Sequence, residues 1–381
     1  MRILLACMLM VSMAEQKEYK VIGYFSAWAQ YRNGQLGKSN FQFLPKHIDP
    51  TQYDVLNYAF VGIDKNQQIT FLDENDGTTI PQVINLKSQN SKLKIFASIG
   101  GWDFSSEKAT RGIFSKLSKS REERAAFIRN AVSFCRRYNF DGIDIDWEYP
   151  GDEDNEGSKE DVNNFAALMK EFYEYKISEA QSSGKAEILL SAATSSSKEF
   201  YGNYKLSETS KYVDWFNVMT YDYHDSDDDR VNSHTPLKSL NSGSESIETT
   251  INDYVSQGVP LEKIILGIAL YGRGWSLETI VNHNIGDKAI GPSKPGAYTQ
   301  EEGLMANIEI ETRTVNERYD LTAVCKYGWY SNQWFSFDDE ITIKLKAKYA
   351  KERQLGGVMF WAIDLDPEMR YIKPVIDELK N

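Results

Sequence analysis

The segment DGIDIDWEYP, residues 141–150, places carboxyl groups on alternate positions of an apolar stretch. Side chains alternate between the two faces of a β-strand, so Asp144, Asp146 and Glu148 would share one face. Like charges on one buried face repel each other and raise the pKa of at least one group. A carboxyl group with a raised pKa keeps a proton near neutral pH and can act as a general acid. The segment therefore predicts a catalytic acid site.

Strand-like runs alternate with helix signals along the chain. The apolar runs lie at residues 21–25, 55–61, 93–99, 140–147, 188–193, 215–220, 264–270 and 357–361. Ser120 with Glu123 predicts a capping box at the start of a helix over 121–138, and further helices are predicted over 158–180 and 246–257. Eight such repeats favour an α/β fold, a (β/α)8 TIM barrel, over a doubly wound open sheet. In a barrel the acidic strand would be covered on both sides; the alternative is a solvated edge strand with an acidic face.

One connection departs from the barrel pattern. Residues 271–356, between strands seven and eight, are far more than a βα connection needs. Glycine and proline turns and short aromatic runs at 276–338 predict a small α+β insertion domain on the catalytic face. At the N-terminus, one basic residue and a short apolar run predict a signal peptide at 1–14 rather than a buried strand, and hence a secreted, extracellular protein. The expected barrel domain comprises 15–275 and 339–381.

The composition limits the partners. A formal net charge of -12 argues against nucleic acid and anionic membranes, which attract clustered basic residues, and it suits a neutral substrate. Aromatic residues make up 13% of the chain and would present flat apolar faces to sugar rings. The 4 histidines lack ligand spacing and no cysteine cluster accompanies them, so neither a metal nor another cofactor is expected. Cys135 and Cys325 are expected to be free, buried thiols rather than a disulfide.

The predicted strand ends carry further candidate residues, because functional groups of such barrels cluster at the carboxyl ends of the strands. Strand three ends in SIGGW at 98–102, where glycines let a backbone approach a ligand, and strand six ends in MTYD at 219–222. Strands seven and eight end in YGR at 271–273 and MFW at 359–361. Any one of these residues is more often part of the core, but their joint placement is hard to attribute to packing.

The same blocks carry a resemblance to a known family. DGIDIDWEYP resembles the DxxDxDxE signature of family 18 glycoside hydrolases, the chitinase family, and SIGGW, MTYD, LYGRGW and GGVMFWAIDLD are similar to its other blocks in the same order. The resemblance extends from about residue 21 almost to the C-terminus, and the insertion resembles the chitin-insertion domain of subgroup A. It implies a secreted, endo-acting chitinase that hydrolyses β-1,4-linked N-acetylglucosamine polymers with retention. Chitin and chitooligosaccharides are the implied partners, and a monomer is expected.

The resemblance also implies roles for individual residues. Glu148 would protonate the glycosidic oxygen, and the acetamido oxygen of the substrate, rather than a second carboxylate, would attack the sugar C1. Asp146 would orient the acetamido N–H and share a proton with Asp144. Tyr221 would hydrogen-bond the acetamido oxygen, and Asp222 would bind sugar or support Tyr221. The full set of substrate-binding candidates, with Trp361 as the floor of the reacting subsite and Trp28 as an outer one, is Tyr24, Phe60, Gly101, Trp102, Met219, Asp222, Tyr271, Arg273, Met359, Trp361 and Trp28.

The chain departs from the family pattern after MTYD. Many members continue with an aromatic residue, His, Gly and a nearby Trp, whereas the acidic run at 225–229 lacks that Trp. The departure puts the family's aromatic contact on the leaving-group side in question. Two other functions stay open. One is a chitin-binding lectin that has lost catalysis, although such relatives typically lack the acid equivalent to Glu148. The other is an endo-β-N-acetylglucosaminidase acting on N-glycans, although those relatives usually lack the insertion and the YGR block.

Overall fold

Eight parallel strands form a closed barrel in the computed structural model, which describes residues 17–32, 35–36, 39–40 and 42–381. The predicted signal peptide at 1–14 lies outside the described residues. The barrel strands are β1 (Lys20–Ser26), β2 (Val55–Ile63), β3 (Lys94–Gly100), β4 (Gly142–Asp146), β5 (Leu189–Ser195), β6 (Trp215–Met219), β7 (Ile264–Ala269) and β8 (Gly357–Trp361). Each of them overlaps one of the runs predicted from the sequence.

The sheet closes because β1 pairs with β2 on one side and with β8 on the other. Ile22 of β1 lies opposite Val55 of β2, and Lys20 lies opposite Gly357 of β8. The remaining strands follow one another in chain order from β2 to β8. The predicted (β/α)8 TIM barrel is confirmed, and the open, doubly wound sheet is excluded.

The acidic segment lies in the middle of the barrel wall. All residues of β4 are buried, and its neighbours β3 and β5 are hydrogen-bonded along it. Ile143 and Ile145 belong to the main hydrophobic core, together with helix residues such as Phe165 and Leu168. Burial of these apolar side chains stabilises the strand and offsets the free-energy cost of burying its carboxyl groups. The solvated edge strand is therefore excluded.

α-Helices connect the barrel strands and cover their outer face. Ser120 accepts the Glu123 N–H as the N-cap of Arg121–Tyr138, but the reciprocal bond of a capping box is absent from the hydrogen bonds of the described residues. The helix predicted over 158–180 is Asp161–Ser183, because a turn closed by the carboxylate of its first residue occupies the predicted start. The α-helices are Asp76–Asn85, Trp102–Ser106, Ile113–Ser118, Arg121–Tyr138, Asp161–Ser183, Leu206–Thr209, Ile247–Ser256, Asn307–Glu311, Glu340–Glu352 and Ile372–Lys380.

A second, antiparallel sheet forms the insertion between β7 and β8. Its strands are Tyr271–Leu277, Ala289–Pro292, Leu304–Ala306, Asn316–Asp320, Cys325–Tyr330 and Gln333–Phe337. The first strand pairs with the last, with Arg273 opposite Ser336, so the sheet starts ahead of residue 276, the first residue of the predicted insertion. Sequence pattern does not mark this start, because strand-forming residues continue past β7 with only Leu270 between the two strands.

The two cysteines lie in different parts of the molecule. Cys135 belongs to a helix on the barrel and Cys325 to the second sheet, and both are buried and free, as expected. No helix among the described residues combines the length and the apolar character needed to cross a membrane.

Candidate active site

A cavity of about 890 Å³ opens at the carboxyl ends of the barrel strands, and residues of the insertion, including Glu301 and Leu304, form part of its wall. Most of the residues predicted to form the site line this cavity: Tyr24, Trp28, Phe60, Trp102, Asp146, Glu148, Met219, Tyr221, Asp222, Tyr271, Arg273 and Trp361. Three predicted residues, Asp144, Gly101 and Met359, lie behind this lining.

Asp144 is fully buried inside the barrel. Side chains from four other strands donate hydrogen bonds to its carboxylate: Tyr24 Oη at 2.8 Å, Ser98 Oγ at 2.8 Å, Ser191 Oγ at 2.6 Å and Asn217 Nδ2 at 3.0 Å. Burial raises the pKa of Asp144 above its ordinary value, and these hydrogen bonds oppose the rise. Since both carboxylate oxygens are already hydrogen-bonded, Asp144 can influence a ligand only through its neighbours.

Asp146 and Glu148 face the cavity from the end of β4. Asp146 is 3% exposed, and its Oδ1 is buried without a hydrogen-bond partner among the described residues. Burial, followed by the charges of Glu148 and Asp144, raises the pKa of Asp146 well above its ordinary value. Burial likewise raises the pKa of Glu148 to about 8, with a further rise from Asp222 and an opposing hydrogen bond from Tyr149. At neutral pH the pair therefore retains at least one proton, and Asp146 offers an unused acceptor to a ligand.

Asp222, which follows β6, is held by cationic and hydroxyl donors. Arg273 donates from Nε at 2.8 Å and from Nη2 at 2.7 Å to the two carboxylate oxygens, and the Tyr271 hydroxyl donates at 2.7 Å. His234 Nδ1 lies 3.4 Å from Oδ1. Burial alone would raise the pKa of Asp222, but the Arg273 guanidinium outweighs it and holds that pKa well below its usual range. Asp222 is thus a fixed negative charge, and none of its hydrogen bonds among the described residues goes to Tyr221.

Two predicted residues support the cavity from behind. Met359 is fully buried, and its Sδ lies 4.0 Å from the Tyr221 hydroxyl, whose ring also packs edge-on against Tyr271. Gly101 has a φ of 89°, and a Cβ added there would lie 2.5 Å from the ring of Phe60. The positive φ and the close packing against Phe60 both require a glycine here.

Aromatic rings form two groups in the cavity. Trp28, Phe60 and Trp361 form a cluster in which all three rings are neighbours, with centroids 6.0 Å apart for Trp28 and Phe60, 5.6 Å for Phe60 and Trp361 and 6.2 Å for Trp28 and Trp361. Tyr149 and Phe200 form a separate stack, with centroids 4.6 Å apart and planes 24° apart. Both groups line the cavity and offer flat apolar faces of the kind that sugar rings contact.

The chain from residue 20 to residue 366 matches the profile of glycosyl hydrolases family 18. It belongs to this family. Chitotriosidase-1 of Mus musculus is 33% identical over 354 residues, which are 91% of this chain and 73% of that protein. The family expected from the sequence is therefore confirmed.

Solved structures of family 18 proteins share the fold over nearly the whole chain. An immunomodulatory active chitinase from Trichuris suis has a TM-score of 0.86 and 27% identity, and the match covers 96% of this chain and 100% of that one. Human YKL-39, a pseudo-chitinase with retained chitooligosaccharide binding, has a TM-score of 0.86 and 28% identity over 96% of this chain and 100% of its own. The same fold thus occurs in an active chitinase and in a pseudo-chitinase.

Some cavity-lining residues were not predicted from the sequence: Arg32, Asp103, Tyr149, Phe200, Asp225 and Glu301. Tyr149 lies inside the DGIDIDWEYP block, so its place next to Glu148 could have identified it. Phe200 and Glu301 lie outside any recognised block, and only the fold brings them to the cavity. Cis peptide bonds at Ala59–Phe60, Glu148–Tyr149 and Trp361–Ala362 also border the cavity and have no sequence signal.

Proposed function

We propose that this family 18 protein is a secreted, endo-acting chitinase that hydrolyses β-1,4-linked N-acetylglucosamine polymers with retention. The observation that carries the proposal is the buried pair in which the pKa of Glu148 is raised to about 8 and Asp146 has an unused acceptor. One group can give a proton to a leaving oxygen, and the other can accept an amide N–H. A polymer of N-acetylglucosamine presents both partners at the same linkage, so this pair fits an N-acetylated sugar better than an unmodified one.

In the first step, the Glu148 carboxyl group donates its proton to the glycosidic oxygen, and the bond from that oxygen to the sugar C1 breaks. The acetamido carbonyl oxygen of the same sugar attacks C1 and forms an oxazolinium ion. Asp146 accepts the acetamido N–H, and the Tyr221 hydroxyl donates to the acetamido oxygen, which orients the group for attack. Well-oriented internal nucleophiles of this kind reach effective molarities of roughly 10⁵–10⁸ M.

In the second step, the Glu148 carboxylate accepts a proton from a water molecule that attacks C1 from the face vacated by the leaving group. The oxazolinium ring opens and the acetamido group is restored. Since C1 is inverted in each step, the product keeps the original anomeric configuration. Glu148 has then regained its proton and is ready for the next linkage.

Two other carboxylates close to β4 are already committed to protein donors, which supports a nucleophile from the substrate. Asp144 lies behind the cavity lining and accepts hydrogen bonds from several barrel strands. Asp222 is fixed by Arg273 and Tyr271. The pKa of Asp146 is raised by burial, which makes it a poor source of a free carboxylate at neutral pH.

The aromatic groups of the cavity support endo action. The cluster of Trp28, Phe60 and Trp361 offers one sugar-binding surface in the cavity, and Tyr149 and Phe200 offer a second. A polymer can therefore be bound on both sides of the reacting ring, as cleavage in the interior of a chain requires. Secretion is supported by the predicted signal peptide, and N-terminal sequencing of protein recovered from culture medium tests it.

Cleavage of the N-acetylglucosamine hexamer tests the mechanism, with product anomers resolved by NMR before they equilibrate. The parent chain should release β-anomers first. Glu148→Gln should turn over roughly 10²–10⁴-fold more slowly, because it has no proton to donate. Calorimetry should show that this variant still binds the hexamer. Glu122→Gln, at an exposed position on the barrel surface, is the matched control and should behave like the parent.

The outcomes separate the candidate functions. Near-normal turnover by Glu148→Gln, or α-anomers released first, would contradict the mechanism. A parent chain that binds the hexamer and does not cleave it would be a chitin-binding lectin. Cleavage of an N-glycan core, with the hexamer left intact, would assign the protein as an endo-β-N-acetylglucosaminidase.

A further inference from the structure

The lining of the cavity carries many more carboxyl groups than cationic groups. Its cationic side chains are Arg32 and Arg273. Asp146, Glu148 and Asp222 lie at the centre of the cavity, and further carboxyl groups line it from separate loops. These outer carboxyl groups, which we call the acidic rim, are Asp73, Asp103, Glu107, Asp225 and Glu301.

Both cations of the lining are already paired with other carboxylates. Arg273 donates to the two carboxylate oxygens of Asp222. Arg32 donates from Nε at 2.9 Å to Oδ2 of the buried Asp364, and its Nη2 lies 2.8 Å from the same oxygen. Among the described residues, none of the salt bridges involves a member of the acidic rim. The charge of the acidic rim is therefore not offset by a cation in contact with it.

Several members of the acidic rim are open to a ligand and close to the reacting centre. Asp103, Glu107 and Glu301 are exposed. Asp103 belongs to the short helix that follows β3, and its charge adds to the rise that burial causes in the pKa of Glu148. Asp225 follows β6, whereas Glu301 belongs to the insertion. Sugars on either side of the reacting ring would therefore meet unpaired carboxyl groups.

Asp146 imposes a different requirement on the reacting ring itself. It lines the same cavity and is 3% exposed, and its Oδ1 has no hydrogen-bond partner among the described residues. An acetamido N–H satisfies this acceptor, and the acetamido oxygen of the same sugar is the proposed nucleophile. The reacting sugar must therefore carry its acetyl group, whereas the acidic rim favours positive charge on its neighbours.

We propose that the preferred substrate is partially deacetylated chitin, in which N-acetylglucosamine is mixed with glucosamine units that carry an ammonium group. This inference rests on the proposed chitinase function. An acetylated unit occupies the reacting position, and the acidic rim binds the ammonium groups of flanking units. Unpaired carboxylates attract ammonium groups more strongly than neutral acetamido groups. The net charge of -12 also favours the approach of a cationic polymer.

Matched hexamers test this preference. One hexamer carries free amines on some units and acetyl groups on the others, and the second is the same hexamer after chemical N-acetylation. In mildly acidic buffer of low salt, kcat/KM of the parent chain should be about fivefold higher for the amine-bearing hexamer. High salt should bring this ratio toward one, because salt screens exposed charges. The fully deacetylated hexamer should bind and resist cleavage, because it has no acetamido oxygen.

A double variant of the acidic rim tests the residues that carry the preference. Asp103→Asn combined with Glu107→Gln should lower the ratio of kcat/KM values to about twofold. The ratio is the readout because any change that affects both hexamers equally cancels in it. Glu122→Gln combined with Asp154→Asn is the matched control. It removes the same number of charges at exposed positions outside the cavity lining and should keep the parental ratio.

The same comparison can be made without turnover. In the Glu148→Gln background, calorimetry should show that the amine-bearing hexamer binds about fivefold more tightly than its acetylated counterpart. A parental ratio of one or less, or an equal fall in the two double variants, would overturn the inference. A parent chain that cleaves neither matched hexamer would refute the proposed function instead, and the calorimetric comparison would still decide whether the cavity prefers charged units.

Discussion

Two groups of buried acids in this protein are built in opposite ways. At the end of β4, Asp146 and Glu148 are buried without a cation in contact among the described residues, and burial raises both of their pKa values. At the junction of the insertion with the helix Glu340–Glu352, Asp338 is equally buried but contacts Lys346, whose Nζ donates to its Oδ1 at 2.6 Å. Burial of charge is unfavourable in both regions, but it is offset by an opposite charge only at the junction.

The residue after Asp338 extends the contrast. Asp339 accepts the N–H groups of Ile341 and Thr342 as a helix cap and contacts Lys326 Nζ at 3.0 Å. Burial opposes its ionisation, but the Tyr319 hydroxyl, which also donates to it, and these donors keep the pKa of Asp339 below its ordinary value. Asp339 therefore stays charged, and the contacts of Asp338 with Lys346 and of Asp339 with Lys326 hold two parts of the fold together. Acids at the end of β4 lack such partners and keep a proton, which is of use to a reaction but not to stability.

Asp146→Asn should separate activity from stability at β4. The amide can still accept the acetamido N–H, but it cannot take up or release the proton that Asp146 and Glu148 retain between them. We expect turnover of the hexamer to fall roughly 10²–10³-fold, as for loss of one electrostatic contact in other active sites. The melting temperature should stay equal or rise, because repulsion with Glu148 is removed. Asp154→Asn, at an exposed position, is the control; a marked fall in melting temperature for Asp146→Asn alone would make Asp146 structural.

Lys346→Met should produce the reverse pattern at the junction. Both members of the pair are 1% exposed, and loss of the lysine leaves Asp338 buried without its cation. We expect the free energy of unfolding to fall by roughly 3–5 kcal/mol, with kcat unchanged in the folded fraction. Urea denaturation measures the loss. Lys348→Met breaks the exposed pair with Glu352 and should have little effect, because solvent screens it. Equal effects of the two changes would remove the contrast between the regions.

Sequence alone was sufficient to locate the barrel strands and to place the acids of β4 on one face, because both follow from local periodicity. Alternation placed Asp146 and Glu148 on one face, and each predicted strand run overlaps a barrel strand. The same reasoning missed Phe200, whose ring stacks on Tyr149, and His234, whose ring contacts Asp222. Such contacts depend on how loops pack on the finished barrel, and no pattern within either loop encodes them.

The contacts of some predicted residues also needed the structure. Gly101 was expected to let a ligand approach the backbone. The structure shows a further reason for a glycine, because the ring of Phe60 occupies the space that a side chain would fill. Asp222 was expected to bind sugar or support Tyr221; its hydrogen bonds go to Arg273 and Tyr271 rather than to Tyr221, and sugar binding stays a prediction for a residue that lines the cavity. Sequence motifs thus locate residues at a site more readily than they assign partners, because partners come from several strands at once.

The pH dependence of activity and stability should show the smallest and most specific effect of the unpartnered acids. Burial raises the pKa of Glu148 from 4.5 to about 8. Turnover should therefore fall as pH rises through about 8, where the donor loses its proton. Initial rates across this range measure it, with Lys346→Met showing the same profile as the parent.

Stability gives the complementary test on the same group. A carboxyl group with a higher pKa in the folded than in the unfolded protein binds more protons when folded, so the free energy of unfolding falls as pH rises from about 4.5 to about 8. Residue 148 cannot ionise in Glu148→Gln, so this variant should show a smaller fall, to which only Asp146 still contributes. It should be more stable than the parent at pH 8, and the difference should vanish toward the acid end of the range. Urea denaturation at several pH values measures the free energy of unfolding of both proteins. Parallel plots of that free energy against pH would mean that folding does not raise the pKa of Glu148.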